Sequence, residues 1–130
     1  MDNDKLNIKN DKFADLVGIE LLEIGEGYAE VRMEITDNHL NGENIPHGGA
    51  LFTLADYAFA AASNYTSPVT LAINASISFF KAPKGKFLTA RAREVTTQNK
   101  LCGYEVEILD ENNELVAKFS GTGYIKRQKD

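Results

Sequence analysis

His47-Gly48-Gly49-Ala50-Leu51-Phe52-Thr53-Leu54-Ala55-Asp56-Tyr57-Ala58-Phe59-Ala60-Ala61-Ala62 reads as the entrance and body of one core helix that holds a single carboxylate. From Ala50 to Ala62 the only other polar groups are the hydroxyls of Thr53 and Tyr57. Leu51, Phe52, Leu54, Ala55, Ala58, Phe59 and Ala62 leave no clear polar face, and a helix apolar nearly all round belongs in a core. Asp56 therefore stands where an ionised group is costly unless paired or hydrogen-bonded. Gly48 and Gly49 let another group approach the backbone at the helix entrance. The first-turn N–H groups there have no partner within the helix and carry the positive end of its dipole. Exposed donors beside an isolated carboxylate form a hydrolytic constellation. Each part also has a plainer reading: Asp56 bonded to a neighbouring hydroxyl or a partner's Lys, the glycines as a tight entry turn, and His47 as a capping residue.

The rest of the chain sets the frame. Its 130 residues make one domain over 1–130, with the polar stretch 1–10 expected to be frayed or disordered. The apolar share of 43% supports a real core. The longest apolar run, interrupted by Asp56, falls short of the ~20 residues of a membrane span. Met1-Asp2-Asn3-Asp4-Lys5 lacks the basic-then-apolar order of a signal peptide, so a cytoplasmic setting is expected. Cys102 is the only cysteine, and His39 and His47 are the only histidines. An intrachain disulfide, a cysteine-based metal site and a His-rich metal site are all excluded. A formal net charge of -5 argues against a general nucleic-acid binder.

The order of elements predicts an α+β fold. A short helix over 12–17 stops at Gly18. Strands over 19–24 and 28–35 flank the turn Gly25-Glu26-Gly27. A loop over 36–46 leads to the long helix, about 49–64. Pro68 marks a break, and four long strands follow over 69–81, 86–98, 100–109 and 114–126. The turns between them lie at Pro83-Lys84-Gly85, Gln98-Asn99 and Asp110-Glu111-Asn112-Asn113. A long meander cannot leave one face uncovered, and only the apolar helix is large enough to cover it, so the sheet should curl around that helix. Its terminal strand leaves an edge to be protected. Two sheets joined edge to edge, with helices side by side, would solve this.

With those residues in hand, the chain resembles the hotdog-fold acyl-CoA thioesterases. It is most similar to their phenylacetic-acid-degradation-type (4-hydroxybenzoyl-CoA thioesterase-like) branch. The likeness runs from about Gly18 to Lys126 and is most specific over Asn41-Gly42-Glu43-Asn44-Ile45-Pro46-His47-Gly48-Gly49 followed by Leu54-Ala55-Asp56. Ile77-Ser78-Phe79-Phe80-Lys81-Ala82-Pro83-Lys84-Gly85 fits the family's strand, basic residue, Pro, Gly element, and Gly121-Thr122-Gly123-Tyr124 its final strand. Asn44 departs from the pattern, standing where the family commonly has Gly; Asn is the next most tolerant of a left-handed backbone.

The resemblance implies hydrolysis of an acyl-CoA thioester, with CoA as part of the substrate and no cofactor. Gly48 would supply the N–H that polarises the thioester carbonyl, and Asp56 would be the catalytic carboxylate, as base or as nucleophile. Asn41 would position water or substrate, and His47 would line the pocket, with Gly49 beside it. Helix residues Phe52, Tyr57 and Phe59, with the Tyr65 region, are candidates for the acyl pocket. Lys81, Lys84 and Lys86 form a basic cluster that could meet CoA phosphates, or be gatekeepers at a strand end. Gly48 and Asp56 lie eight residues apart, ~12 Å along a helix axis. They cannot both touch one carbonyl carbon, so a working site should combine two chains in an isologous homodimer, with a dimer of dimers as the larger assembly. The alternative function is a non-catalytic hotdog module that binds an acyl thioester or small ligand. A hotdog dehydratase would need a differently placed catalytic His, for which neither His39 nor His47 is a match.

Overall fold

The computed structural model describes residues 10–67 and 69–126. The N-terminal stretch expected to be frayed lies, but for Asn10, outside them, as does the break at Pro68. The described chain runs α1 (Lys12–Val17), β1 (Ile19–Gly25), β2 (Tyr28–Glu34), a 3-10 turn (Asp37–His39), α2 (Gly48–Thr66), β3 (Thr70–Phe79), β4 (Phe87–Gln98), β5 (Leu101–Leu109) and β6 (Leu115–Ile125). The start of α1 is set by Asp11, whose carboxylate accepts the Ala14 N–H at 3.0 Å. Its end is set by Gly18 at φ 92°, where a side chain would be strained.

Six antiparallel strands form one sheet in the order β1-β2-β4-β5-β6-β3. This corrects the meander: β3 does not lie beside β4 but crosses to the far edge, next to β6. The correction has a physical basis. α2 touches every strand, so the sheet wraps it, and a strand entering directly from the helix end joins at the free edge. The wrapping depends on close approach. A Cβ at Gly123 would stand 2.6 Å from Thr70 and 3.3 Å from the Phe59 ring. A Cβ at Gly121 would stand 2.9 Å from Phe119. These two glycines let Phe59 sink between Tyr104 and Phe119, at ring separations of 5.6 and 6.0 Å.

The helix is less enclosed than its composition suggests. Leu51, Leu54, Ala55, Ala58, Phe59, Ala61 and Ala62 are buried, but Gly49, Thr53, Asp56, Ala60 and Asn64 form a narrow stripe that is half-buried or exposed. They recur at the three- and four-residue spacing of one helix face. Edge strand β3 is the opposite surprise. Thr70 is its only buried residue, and Leu71, Ile73 and Phe79 stand exposed, with Phe80 just beyond.

One polar knot joins the connection between β3 and β4 to the turn between β5 and β6. The Asp110 side chain is fully buried and accepts N–H groups from Lys84 (3.0 Å), Asn112 (3.0 Å) and Glu114 (3.1 Å), with the Lys81 ammonium 3.1 Å away. Burial pushes its pKa up, but the backbone donors and Lys81 outweigh that and hold it at about 2. The unfolded carboxyl titrates near ~3.9. The knot's contribution is therefore complete above that pH and is lost as pH falls through about 2. Asp110→Asn should lower unfolding free energy by about 1–2 kcal/mol at pH 7, since it replaces one charged acceptor with a neutral donor. The difference from wild type should shrink in urea melts below pH 3; a constant difference across pH would show that the charge is not what matters.

Candidate active site

The loop before α2 is built to deliver the helix entrance. Asn41 Oδ1 accepts the N–H groups of Glu43 (2.8 Å) and Ile45 (3.2 Å), closing the turn. Asn44 takes the left-handed conformation at φ 59°, so the Asn that departs from the family pattern fills the role expected of it. The Asn41 carbonyl is thus spent on the loop, and only its amide remains to reach a substrate. The His47 N–H donates to His39 O at 2.6 Å. His47 Nδ1 in turn caps α2 by accepting the Gly49 N–H at 2.9 Å. His47 is therefore a capping residue, and with Nδ1 accepting, its ring proton lies on Nε2.

Gly48 is left as the open donor. Its N–H has no acceptor among the described residues. The ring of Phe79, at the end of exposed edge β3, lies over it: a Cβ at Gly48 would stand 3.2 Å from Phe79 Cζ. The entrance of α2 and the free sheet edge are thus neighbours.

Two turns further along, Asp56 stands half-buried on the open stripe. It makes no hydrogen bond or ion pair among the described residues. The Thr53 hydroxyl, the nearest helical neighbour that could have satisfied it, donates instead to Gly49 O at 2.8 Å. Burial raises the Asp56 pKa, and the charge of Asp11 raises it further. Tyr57 beside it is pushed up to about 12 by burial and by Asp11 and Asp15. An unpaired carboxylate of raised proton affinity is the environment of a base.

A cleft of about 400 Å³ opens between the two helices, lined by Phe13 and Val17 of α1, Gly49, Ala50 and Thr53 of α2, and the loop residues around His39 and His47. Sequence reasoning passed over His39 as a polar loop residue. It is 7% exposed, accepts the Thr36 N–H at Nδ1 (2.9 Å) and donates from Nε2 to Val17 O (2.6 Å). That pairing ties the end of α1 to the start of α2. The Thr36-x-x-His39 spacing of a capping box was the available signal.

Not all the expected residues converge here. Phe59 is 2% exposed and packs in the aromatic core, so it does not line an open acyl pocket. Phe52 is half-buried with its ring against Phe119 at 5.5 Å, and Tyr57 is buried. The basic cluster sits at the polar knot. Lys81 pairs with Asp110 and Glu114, while Asp110 and Glu111 hold the backbone of Lys84 and Lys86. Its charge is matched by three carboxylates, and only the Lys84 and Lys86 side chains point free of an ion pair. Among the described residues no group of His, Cys, Asp and Glu could hold a metal ion, and no helix is long and apolar enough to cross a membrane.

Comparison with known proteins agrees with this architecture. The thioesterase superfamily profile matches residues 43–117. A candidate esterase of Archaeoglobus fulgidus is 45% identical over 117 residues, covering 89% of this chain and 76% of its own length. The acyl-coenzyme A thioesterase PaaI of Escherichia coli K12 is 39% identical over 118 residues, covering 89% of this chain and 84% of its own. The solved structure of the E. coli PaaI protein from the phenylacetic acid degradation operon superposes with a TM-score of 0.90 at 33% identity, over 98% of this chain and 93% of that one. The six-stranded sheet wrapped on one long helix is the hotdog fold of these enzymes, and the chain belongs to the thioesterase superfamily, in its PaaI-type branch, as a thioester hydrolase.

Proposed function

We propose that the protein hydrolyses acyl-CoA thioesters to the free acid and CoA, in sites shared by two copies of the chain. The observation that carries this reading is the pair of unsatisfied groups on one helix: the Gly48 N–H and the Asp56 carboxylate. The Gly48 N–H of one copy polarises the thioester carbonyl and stabilises the oxyanion as it forms, a contribution of about 3 kcal/mol in such sites. Asp56 of the other copy either takes a proton from water as it attacks, or attacks the carbonyl itself and is released by water. Both routes expel the CoA thiolate, and neither calls for a cofactor.

The two-copy arrangement is supported by β3. Its exposed Leu71, Ile73 and Phe79 form an unpaired edge beside the Gly48 entrance. A second sheet joined there would lay its own α2 antiparallel to the first and bring its Asp56 toward Gly48. An unpaired carboxylate also favours catalysis over a binding-only module, which gains nothing from leaving it unsatisfied. A dimer of dimers and a cytoplasmic setting remain part of this reading, the latter because the single buried thiol of Cys102 suits a reducing compartment.

The test is release of free thiol from a panel of acyl-CoAs by the purified protein. No release above the uncatalysed rate from any chain length or aryl group would sink the reading. A finer expectation concerns phosphate binding. Changing Lys84 and Lys86 together to Gln should raise KM for acyl-CoA by about twofold to fivefold, the effect of a surface ion pair, and leave kcat unchanged. The change should disappear with an acyl-pantetheine lacking the nucleotide phosphates. An equal effect on both substrates would remove the lysines from the binding site.

A further inference from the structure

Asp11 does not line the cleft between α1 and α2, yet the geometry of α1 carries it to the level of Asp56. The C-terminal end of α1 is tied through Val17 O and His39 to the start of α2. Phe13 and Val17, one turn apart on α1, line the same cleft as Gly49 and Thr53, one turn apart on α2. The two helices therefore run alongside each other in opposite senses. Six residues of helix span ~9 Å. The N-terminal end of α1 thus reaches past Thr53 to the level of Asp56 and Tyr57. Asp11 is the residue fixed at that end, by its capping bond to the Ala14 N–H, and Ala14 is itself anchored in the core at 2% exposure.

We propose that Asp11 is a positioning residue of the thioesterase site: its carboxylate, fixed at the end of α1 that lies level with Asp56, sets the pH at which Asp56 becomes the working base. This rests on Asp56 being the catalytic carboxylate. A like charge held nearby disfavours ionisation of a carboxyl: burial raises the Asp56 pKa most, and the charge of Asp11 raises it further. The other groups around Asp56 do not replace it. Asp15 of α1 acts on Tyr57 along with Asp11. Lys12 is exposed on α1. Cys102 and Tyr104 are the titratable groups that the sheet turns toward the helix, in the Phe59 cluster. His39 and His47 are held at the far end of the cleft.

Asp11→Asn separates charge from structure, because Asn caps a helix as well as Asp does. The acid limb of kcat/KM against pH should move to lower pH in this variant. The plateau rate should fall about twofold to threefold as the base weakens. The shift should diminish in high salt, and Asp11→Glu should restore the limb toward wild type. Asp11→Ser, a second neutral cap, guards against a folding effect peculiar to Asn, with thermal melts recorded for each variant. Profiles of Asp11→Asn and Asp11→Ser that superimpose on wild type would overturn the proposal. An active Asp56→Asn would instead overturn the catalytic reading beneath it, so the two failures are distinguishable.

Discussion

Asp56→Asn should keep the fold and lose at least ~10²-fold in turnover of the best acyl-CoA, the low end of a general-base contribution. Asn is nearly the same size and shape, and among the described residues Asp56 has no bonding partner whose loss could unfold it. Removing a half-buried carboxylate from beside Asp11 should, if anything, stabilise the protein, since both burial and that neighbour oppose its ionisation. The expected signature is therefore a melting temperature at or above that of wild type together with a dead or nearly dead enzyme. Activity within a few-fold of wild type would make Asp56 a bystander. The wild-type enzyme separates the two chemical routes. If Asp56 is the nucleophile, wild type quenched during turnover should carry an acyl adduct on the peptide containing Asp56, readable by mass. A base leaves none.

Element types and boundaries were legible because the local signals agree with the fold. The alternation in Ala29, Val31 and Met33, all fully buried, marks the inner face of β2. Asn, Gly and Pro punctuate the turns where the strands end. Strand order was not legible. β3 to β4 reads as a hairpin around Pro83-Lys84-Gly85, and nothing local says that two other strands come between them. Burial on α2 was misread for a related reason. The stripe through Gly49, Thr53, Asp56 and Ala60 is made of small or singly polar residues, so composition averages it away, and only the packing of α1 and the sheet shows where it opens. Pairing partners were equally hidden. Lys81, Lys84 and Lys86 look like a basic patch in the sequence because Asp110, Glu111 and Glu114 approach them from a turn some 25 to 33 residues away. His39 and Asp11 act through capping and contact with α1, which a scan for catalytic residue types does not reach.

Mixing two inactive variants should restore activity. Asp56→Asn keeps the Gly48 donor and lacks the carboxylate. Gly48→Val keeps the carboxylate, but its β-branched side chain would meet the Phe79 ring, already 3.2 Å from a single added Cβ, and crowd the N–H from the carbonyl it must reach. Loss of one such donor costs ~10²-fold or more, so each homodimer should be nearly silent. In a mixed dimer, Gly48 of the first chain meets Asp56 of the second and one site is whole, while the other carries both lesions. Equal mixing with free exchange makes half of the dimers mixed, so activity should recover to about a quarter of wild type. If two copies join along the exposed β3 edge, as proposed, their dissociation would uncover Leu71, Ile73 and Phe79. Native mass spectrometry of the same sample would count the mixed species. Mixed dimers in the expected proportion with no regained turnover would show that donor and carboxylate work within one chain, and the ~12 Å separation along α2 would then have to be bridged by a bend in the helix.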